Sequence, residues 1–199
     1  MALARQSRSL PISPRRKAFK IWLMKRAKVW EIDALVCNAA SNPYYGPSAG
    51  ISDEQFNKIL TNNIVANHWL INMVAPEMTA RGEGSITIIS SIGGIKASTV
   101  IGAYCISKAA DMQLARNLSA EYGPQGVRVN CIAPGLNQDR FAKALWDDPD
   151  TLKRSTATAP LKRIGTPDEI AGMAVFLASR EADYIVAQTY NVDGGQWMS

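Results

Sequence analysis

Histidine is almost missing from these 199 residues, His68 being the only one. Cysteine is scarce as well. Cys37, Cys105 and Cys131 sit in apolar surroundings with no C-x-x-C or mixed Cys/His spacing, which argues against a zinc site or a disulfide framework and for buried, reduced thiols. No metal site is expected. With no second ligand or nucleophile at a recognisable spacing, His68 reads as structural. No apolar run approaches the ~20 residues that cross a bilayer, and the start lacks the apolar core of a secretory signal. A cytoplasmic protein without a membrane partner is therefore expected. Acidic residues are missing from the first thirty positions, which hold nine Lys or Arg and leave 13 basic against 17 acidic residues elsewhere. The net charge of +5 thus belongs to the first segment, and the mildly acidic body argues against nucleic acid. An apolar content of 47% with 20% charged residues suits one globular domain with a proper core.

From Ile32 onward, strand-like and helix-like signals alternate, the pattern of an α/β fold with a parallel sheet. "DALVCNAA" is a short apolar run ending in small polar residues, hence a buried strand. After a loop rich in Pro, Gly and Tyr, "SDEQ" reads as a capping box with Ser52 as N-cap, opening a long helix that ends near "ARGEG". "SITIISS" is the next strand, "AYCISKAADMQLARNLSAEY" the second helix and "GVRVNCIAPG" a third strand. Thr166, Pro167 and Glu169 cap the helix "GTPDEIAGMAVFLAS", and "TYNVDGG" closes the sheet. Gly194 and Gly195 read as turn glycines. No repeat or low-complexity linker divides residues 31–199.

In open parallel sheets, ligands bind beyond the carboxyl ends of the strands. Those ends are "CNAA", "ISS" and "APG". Tyr104 and Lys108 share one face of the second helix at i and i+4, and the ammonium favours the phenolate, drawing a phenol from ~10 toward neutrality. Such a tyrosine exchanges protons at physiological pH. Ser91, at the end of "IISS", is placed to hold a carbonyl or hydroxyl oxygen beside it. Asn63 is a poor helix-interior residue, suited to anchoring a water near the lysine as a proton path. Singly, each has a plain structural explanation. Together at one end of the sheet they make an acid/base, its tuner, an orienter and a relay. No nucleophile-base pair accompanies them, so the proton transfer is paired with a second event, and hydride transfer is the natural one.

These residues carry a resemblance. "CNAA", Asn63, Ser91 with Tyr104-x-x-x-Lys108, "NCIAPG" and "NVDGG" look like the short-chain dehydrogenase/reductase family, in its order and spacing, over roughly Ile32 to Gly195. "NAASNPYYG" and "LKRIGTPDEIAGMAVFLAS" resemble its carbonyl-reductase-like branch. The resemblance implies a Rossmann-like doubly wound parallel sheet and an NAD- or NADP-dependent alcohol dehydrogenase or ketone reductase acting on a small carbonyl or secondary alcohol. It implies Tyr104 as acid/base and also cofactor-binding, Lys108 also binding the nicotinamide ribose, Ser91 orienting substrate and Asn63 in the relay. Asn38, Ala39 and Ala40 are expected on the adenosine side of the cofactor, and Pro134, Gly135 and Leu136 at its nicotinamide. A homo-oligomer, tetramer or dimer, is expected through the helices opening at Ser52 and Ala103.

Two departures accompany the resemblance. The family's glycine-rich turn, T-G-x-x-x-G-x-G, does not occur before Ile32, so the N-terminal half is read as truncated or altered and residues 1–30 as an atypical basic segment. After "APG" this chain has "GLNQDRF", with Asp139 where the family usually has threonine. Reading "KIWLMKR" one base earlier permits "NLVDET", the end of the amphipathic helix the family carries there. One compensated base insertion within "LNQDRF" permits "LIRTDF", with its threonine. Residues 1 to about 28 and Asn137 to Arg140 are therefore expected to be frame-shifted readings, an expectation that a clean frame in the encoding DNA overturns. Two other accounts of the start are a mitochondrial targeting segment, and a truncated, non-catalytic paralogue serving as a binding or oligomerisation module.

Overall fold

The computed structural model describes residues 31–138, 142, 146–157 and 159–198. The basic segment 1–30 and, within the 137–140 patch, Asp139 and Arg140 lie outside them. Four strands form one sheet: β1 (Ala34–Cys37), β2 (Gly84–Ile89), β3 (Val127–Pro134) and β4 (Thr189–Val192). Their order is β1-β2-β3-β4 and every pairing is parallel, as in Leu35 opposite Ile86, Thr87 opposite Asn130 and Ala133 opposite Asn191. The strands run where the apolar segments predicted them.

Helices cover both faces of β2 and β3, whereas β1 is not the buried strand expected: Ala34 and Val36 are exposed and of its four residues only Cys37 is buried. Between β1 and β2 lie α1 (Asp53–Leu60) and α2 (Ala66–Arg81), joined by a π-helical turn, Thr61–Val65. The expected single helix is thus continuous in path but widened by one turn around Asn63, an irregularity no local pattern announced. Helix α3 (Gly102–Tyr122) links β2 to β3. Between β3 and β4 lie α4 (Pro149–Thr156) and α5 (Pro167–Ala178). On the α5 face, Ile132 and Leu177 are fully buried with Ile89 and Ile170 against them, and Ser85 Oγ donates to the Leu177 carbonyl at 2.8 Å. On the other face Cys131 Sγ reaches the Asp111 carbonyl of α3 at 3.5 Å. No helix among the described residues is long and apolar enough to cross a membrane.

Both expected caps are present. Ser52 Oγ accepts from Gln55 N at 3.2 Å while Gln55 returns its Oε1 to Ser52 N. Glu169 Oε2 accepts from Thr166 N at 2.8 Å, and the Arg163 guanidinium bonded to Glu169 holds that carboxyl down to about 2. Gly194 and Gly195 take positive φ, 64° and 83°, as turn glycines do. His68 is exposed, its ring beside the Asn72 amide.

Two stability predictions arise here. Gly126, at φ +78°, closes the turn after α3, and a Cβ there runs into the Gly82 carbonyl oxygen. Gly126→Ala is expected to cost roughly 1–3 kcal/mol or more, read as a lower urea midpoint; an unchanged midpoint refutes it. The three cysteines are all buried free thiols. Burial first, then the negative charge of Asp111, pushes Cys37 and Cys131 up to about 12. Both thiols are expected to ignore a disulfide reagent at mildly alkaline pH in the native chain and to react fully once urea unfolds it.

Candidate active site

All four strands are parallel, so their carboxyl ends meet on one edge of the sheet, where a cavity of about 1170 Å³ opens. The β1 end contributes Asn38, Ala39 and Ala40; the β2 end, Ser90 and Ser91; the β3 end, Pro134, Gly135 and Leu136. Tyr104 and Lys108 line it from α3. Of the expected site residues, Asn63 alone stands behind the wall rather than on it.

Each side chain is held in place by the local fold. Ser91 is the N-cap of a short 3-10 turn (Ile92–Gly94), and its Oγ accepts from Gly93 N at 3.0 Å. That turn brings Ser91 to Tyr104: a Cβ on Gly93 would stand 3.3 Å from Ser91 Oγ and 3.8 Å from Tyr104 Cε1. Gly94 must also be glycine, since a Cβ there would approach the Lys108 carbonyl carbon to 2.8 Å. Ser90 Oγ donates to the Lys108 carbonyl at 2.7 Å, tying α3 to the end of β2.

The spacing of Tyr104 and Lys108 brings the two side chains together. The Lys108 Nζ lies 5.7 Å from the Tyr104 ring centroid. Lys108 is not a solvated helix residue: its side chain is 2% exposed, its ammonium donating to the Ile89 carbonyl at 2.8 Å and to Asp111 Oδ2 at 3.0 Å. Asn63 is fully buried and acts as a staple, its Oδ1 accepting from Ser41 N at 2.8 Å and its Nδ2 donating to Ser107 Oγ at 2.9 Å. Ser107 Oγ passes on to the Tyr104 carbonyl at 2.7 Å. At the opposite lip, Gly135 N donates to the Val192 carbonyl and Leu136 N to Gln196 Oε1 at 3.2 Å.

Sequence reasoning missed Asp111, Asn67, Ser107 and Gln196. Asp111 had a signal available, an acid three residues after Lys108 on the same helix face. Gln196 had none. It bridges the Leu136 amide to the Ser155 carbonyl, a meeting of three distant segments.

Residues 22–196 match the family described as enoyl-(acyl carrier protein) reductase. Bovine dehydrogenase/reductase SDR family member 4 is 43% identical over 164 residues, covering 82% of this chain and 59% of that protein. The chain belongs to the short-chain dehydrogenase/reductase family. It spans about three-fifths of the length of that bovine protein. Galactitol 2-dehydrogenase of Agrobacterium fabrum is 38% identical over 178 residues, covering 84% of this chain and 69% of that one. Among solved structures, a gluconate 5-dehydrogenase from Burkholderia cenocepacia, in complex with NADP and tartrate, superposes with a TM-score of 0.86 at 30% identity, covering 94% of this chain and 71% of that one. The gluconate 5-dehydrogenase shares the Rossmann-like parallel sheet, and the family match begins ten residues before Ile32, inside the basic segment.

Proposed function

We propose that this chain is an NAD(P)-dependent oxidoreductase that interconverts a secondary alcohol and a carbonyl, in the manner of the carbonyl-reductase-like branch of its family. The observation that carries the reading is the buried Lys108 ammonium beside the Tyr104 ring, both on the wall of a cavity at the carboxyl ends of the strands. The residues present fit the nicotinamide half of a dinucleotide. The charged side chains lining the cavity are Lys96, Lys108 and Arg154, with no carboxylate among the described lining residues, which suits an anionic occupant.

In this reading Lys108 binds the nicotinamide ribose, Pro134, Gly135 and Leu136 bracket the nicotinamide, and Asn38, Ala39 and Ala40 border the adenosine side. NADH or NADPH, when bound, supplies the hydride. Ser91 Oγ donates a hydrogen bond to the substrate carbonyl oxygen and holds it at Tyr104. The Tyr104 hydroxyl gives that oxygen its proton, and the nearby ammonium of Lys108 stabilises the phenolate left behind. Asn63 supports the site by holding the loop after β1 and α3 in register. Self-association through exposed apolar positions such as Ile106, 54% exposed on α3, completes the proposal.

Titration of the 199-residue chain with NADH and NADPH, followed by nicotinamide fluorescence, tests it. Saturable binding supports the enzyme and names the cofactor. A folded chain that binds neither dinucleotide sinks the reading in favour of the non-catalytic binding module.

A further inference from the structure

Behind the Tyr104 and Lys108 pair lies a group that the reaction itself does not use. Lys108 and Asp111 form an ion pair at 3.0 Å with side chains 2% and 0% exposed. An ammonium this deep in the fold is costly unless a charge and hydrogen bonds answer it. It has three N–H groups; the Ile89 carbonyl and Asp111 Oδ2 take two of them, leaving one for whatever enters the cavity. The other carboxylate oxygen, Asp111 Oδ1, accepts from Asn67 Nδ2 at 3.0 Å, and the same amide donates to the Asn63 carbonyl at 2.7 Å. That carbonyl lies in the π-helical turn, where the widened backbone leaves it open to a side-chain donor. From Asn63 the bonds continue through Ser107 to the Tyr104 backbone. The charge of Asp111 is also felt on both flanking strands, at Cys37 of β1 and Cys131 of β3.

Resting on the oxidoreductase reading above, we infer that Asp111 is a positioning residue: its buried carboxylate fixes the Lys108 ammonium beside Tyr104 and joins it, through Asn67, Asn63 and Ser107, to the backbone that carries the phenol. Tyr104, Ser107, Lys108 and Asp111 fall on one stripe of α3 at the 3 and 4 spacing of a helix face. The network therefore makes one rigid unit of the acid/base, its cation and the π-helical turn. Asp111 touches neither substrate nor cofactor in this account.

The test is the ¹⁵Nζ spectrum of lysine in the full chain without cofactor, with the Lys108 signal assigned through Lys108→Arg. The expected wild-type result is a slowly exchanging ammonium whose nitrogen shows a hydrogen-bond coupling to the Asp111 carboxylate carbon. In Asp111→Asn, loss of one charge-assisted bond should speed exchange of the Lys108 protons by roughly tenfold or more. An exchange rate unchanged in Asp111→Asn overturns the inference. Should that variant not fold, the wild-type spectrum decides alone, since an ammonium coupled to the Ile89 carbonyl but not to Asp111 overturns it equally. Both spectra are recorded without dinucleotide, so a failure of the oxidoreductase reading, seen as absent binding or turnover, remains distinct from a failure here.

Discussion

Tyr104→Phe is expected to lower carbonyl reduction by roughly 10²–10⁴-fold, the range a positioned proton donor contributes, while leaving the fold intact. The phenol faces the cavity and the ring is half-buried. Removing one hydroxyl keeps the ring packed over Gly93 and beside Lys108 and takes away the transferable proton. The cavity, the strand ends and the Lys108 to Asp111 pair are unchanged, so dinucleotide affinity should fall little. The separation matters: a variant that binds NADPH as wild type does but turns over slowly has lost the chemical step alone. Initial rates of NADH or NADPH oxidation with a carbonyl substrate, beside fluorescence binding, make the comparison. A wild-type rate in Tyr104→Phe would remove Tyr104 from the mechanism.

Lys108→Ala has the second large effect, and it reaches stability as well as activity. Without the ammonium, the Asp111 carboxylate is left fully buried with Asn67 as its remaining donor. Breaking one half of a buried pair costs about 3–5 kcal/mol. Burial already raises the Asp111 carboxyl, with Lys108 and then Asn67 drawing it back down. In the variant the main opposing influence is gone and burial prevails. A carboxyl raised in the folded state contributes stability below its unfolded value of ~3.9 and loses it as pH climbs through the folded value. The deficit of Lys108→Ala should therefore be smallest near pH ~4 and widen toward neutrality. Urea midpoints of variant and wild type at the two ends of that range measure it; a deficit independent of pH contradicts the account. Dinucleotide binding should weaken in the same variant, because the ribose loses its cation.

Several features were legible before any fold was known because they are written in short-range chemistry. Ser52 with Gln55 and Thr166 with Glu169 cap their helices through contacts three residues long. The apolar runs of β1, β2 and β3 place the strands, and the end of a parallel strand is a site by geometry alone. The i,i+4 spacing put Tyr104 and Lys108 together. Asn63 was found by its poor fit to a helix interior, yet its surroundings differ from the water-anchoring role its composition suggested: its side chain is spent on Ser41 and Ser107. The π-helical turn around it was not legible, since Asn63 is held there by Ser41 and Ser107, 22 and 44 residues away in the chain.

Local pattern was thus enough for the α/β alternation, the caps and the pairing of Tyr104 with Lys108, because hydrophobic period, capping and helix spacing act within a few residues of chain. Tertiary structure alone decided the rest. Helix spacing singles out Lys108, but only its packing against β2 buries it and makes Asp111 its partner. Asn67 joins that partner to Asn63 across two helices, and Gln196 closes the far lip from near the other end of the chain. Burial and long-range hydrogen bonds depend on which faces meet, and that is a property of the packed chain rather than of any segment.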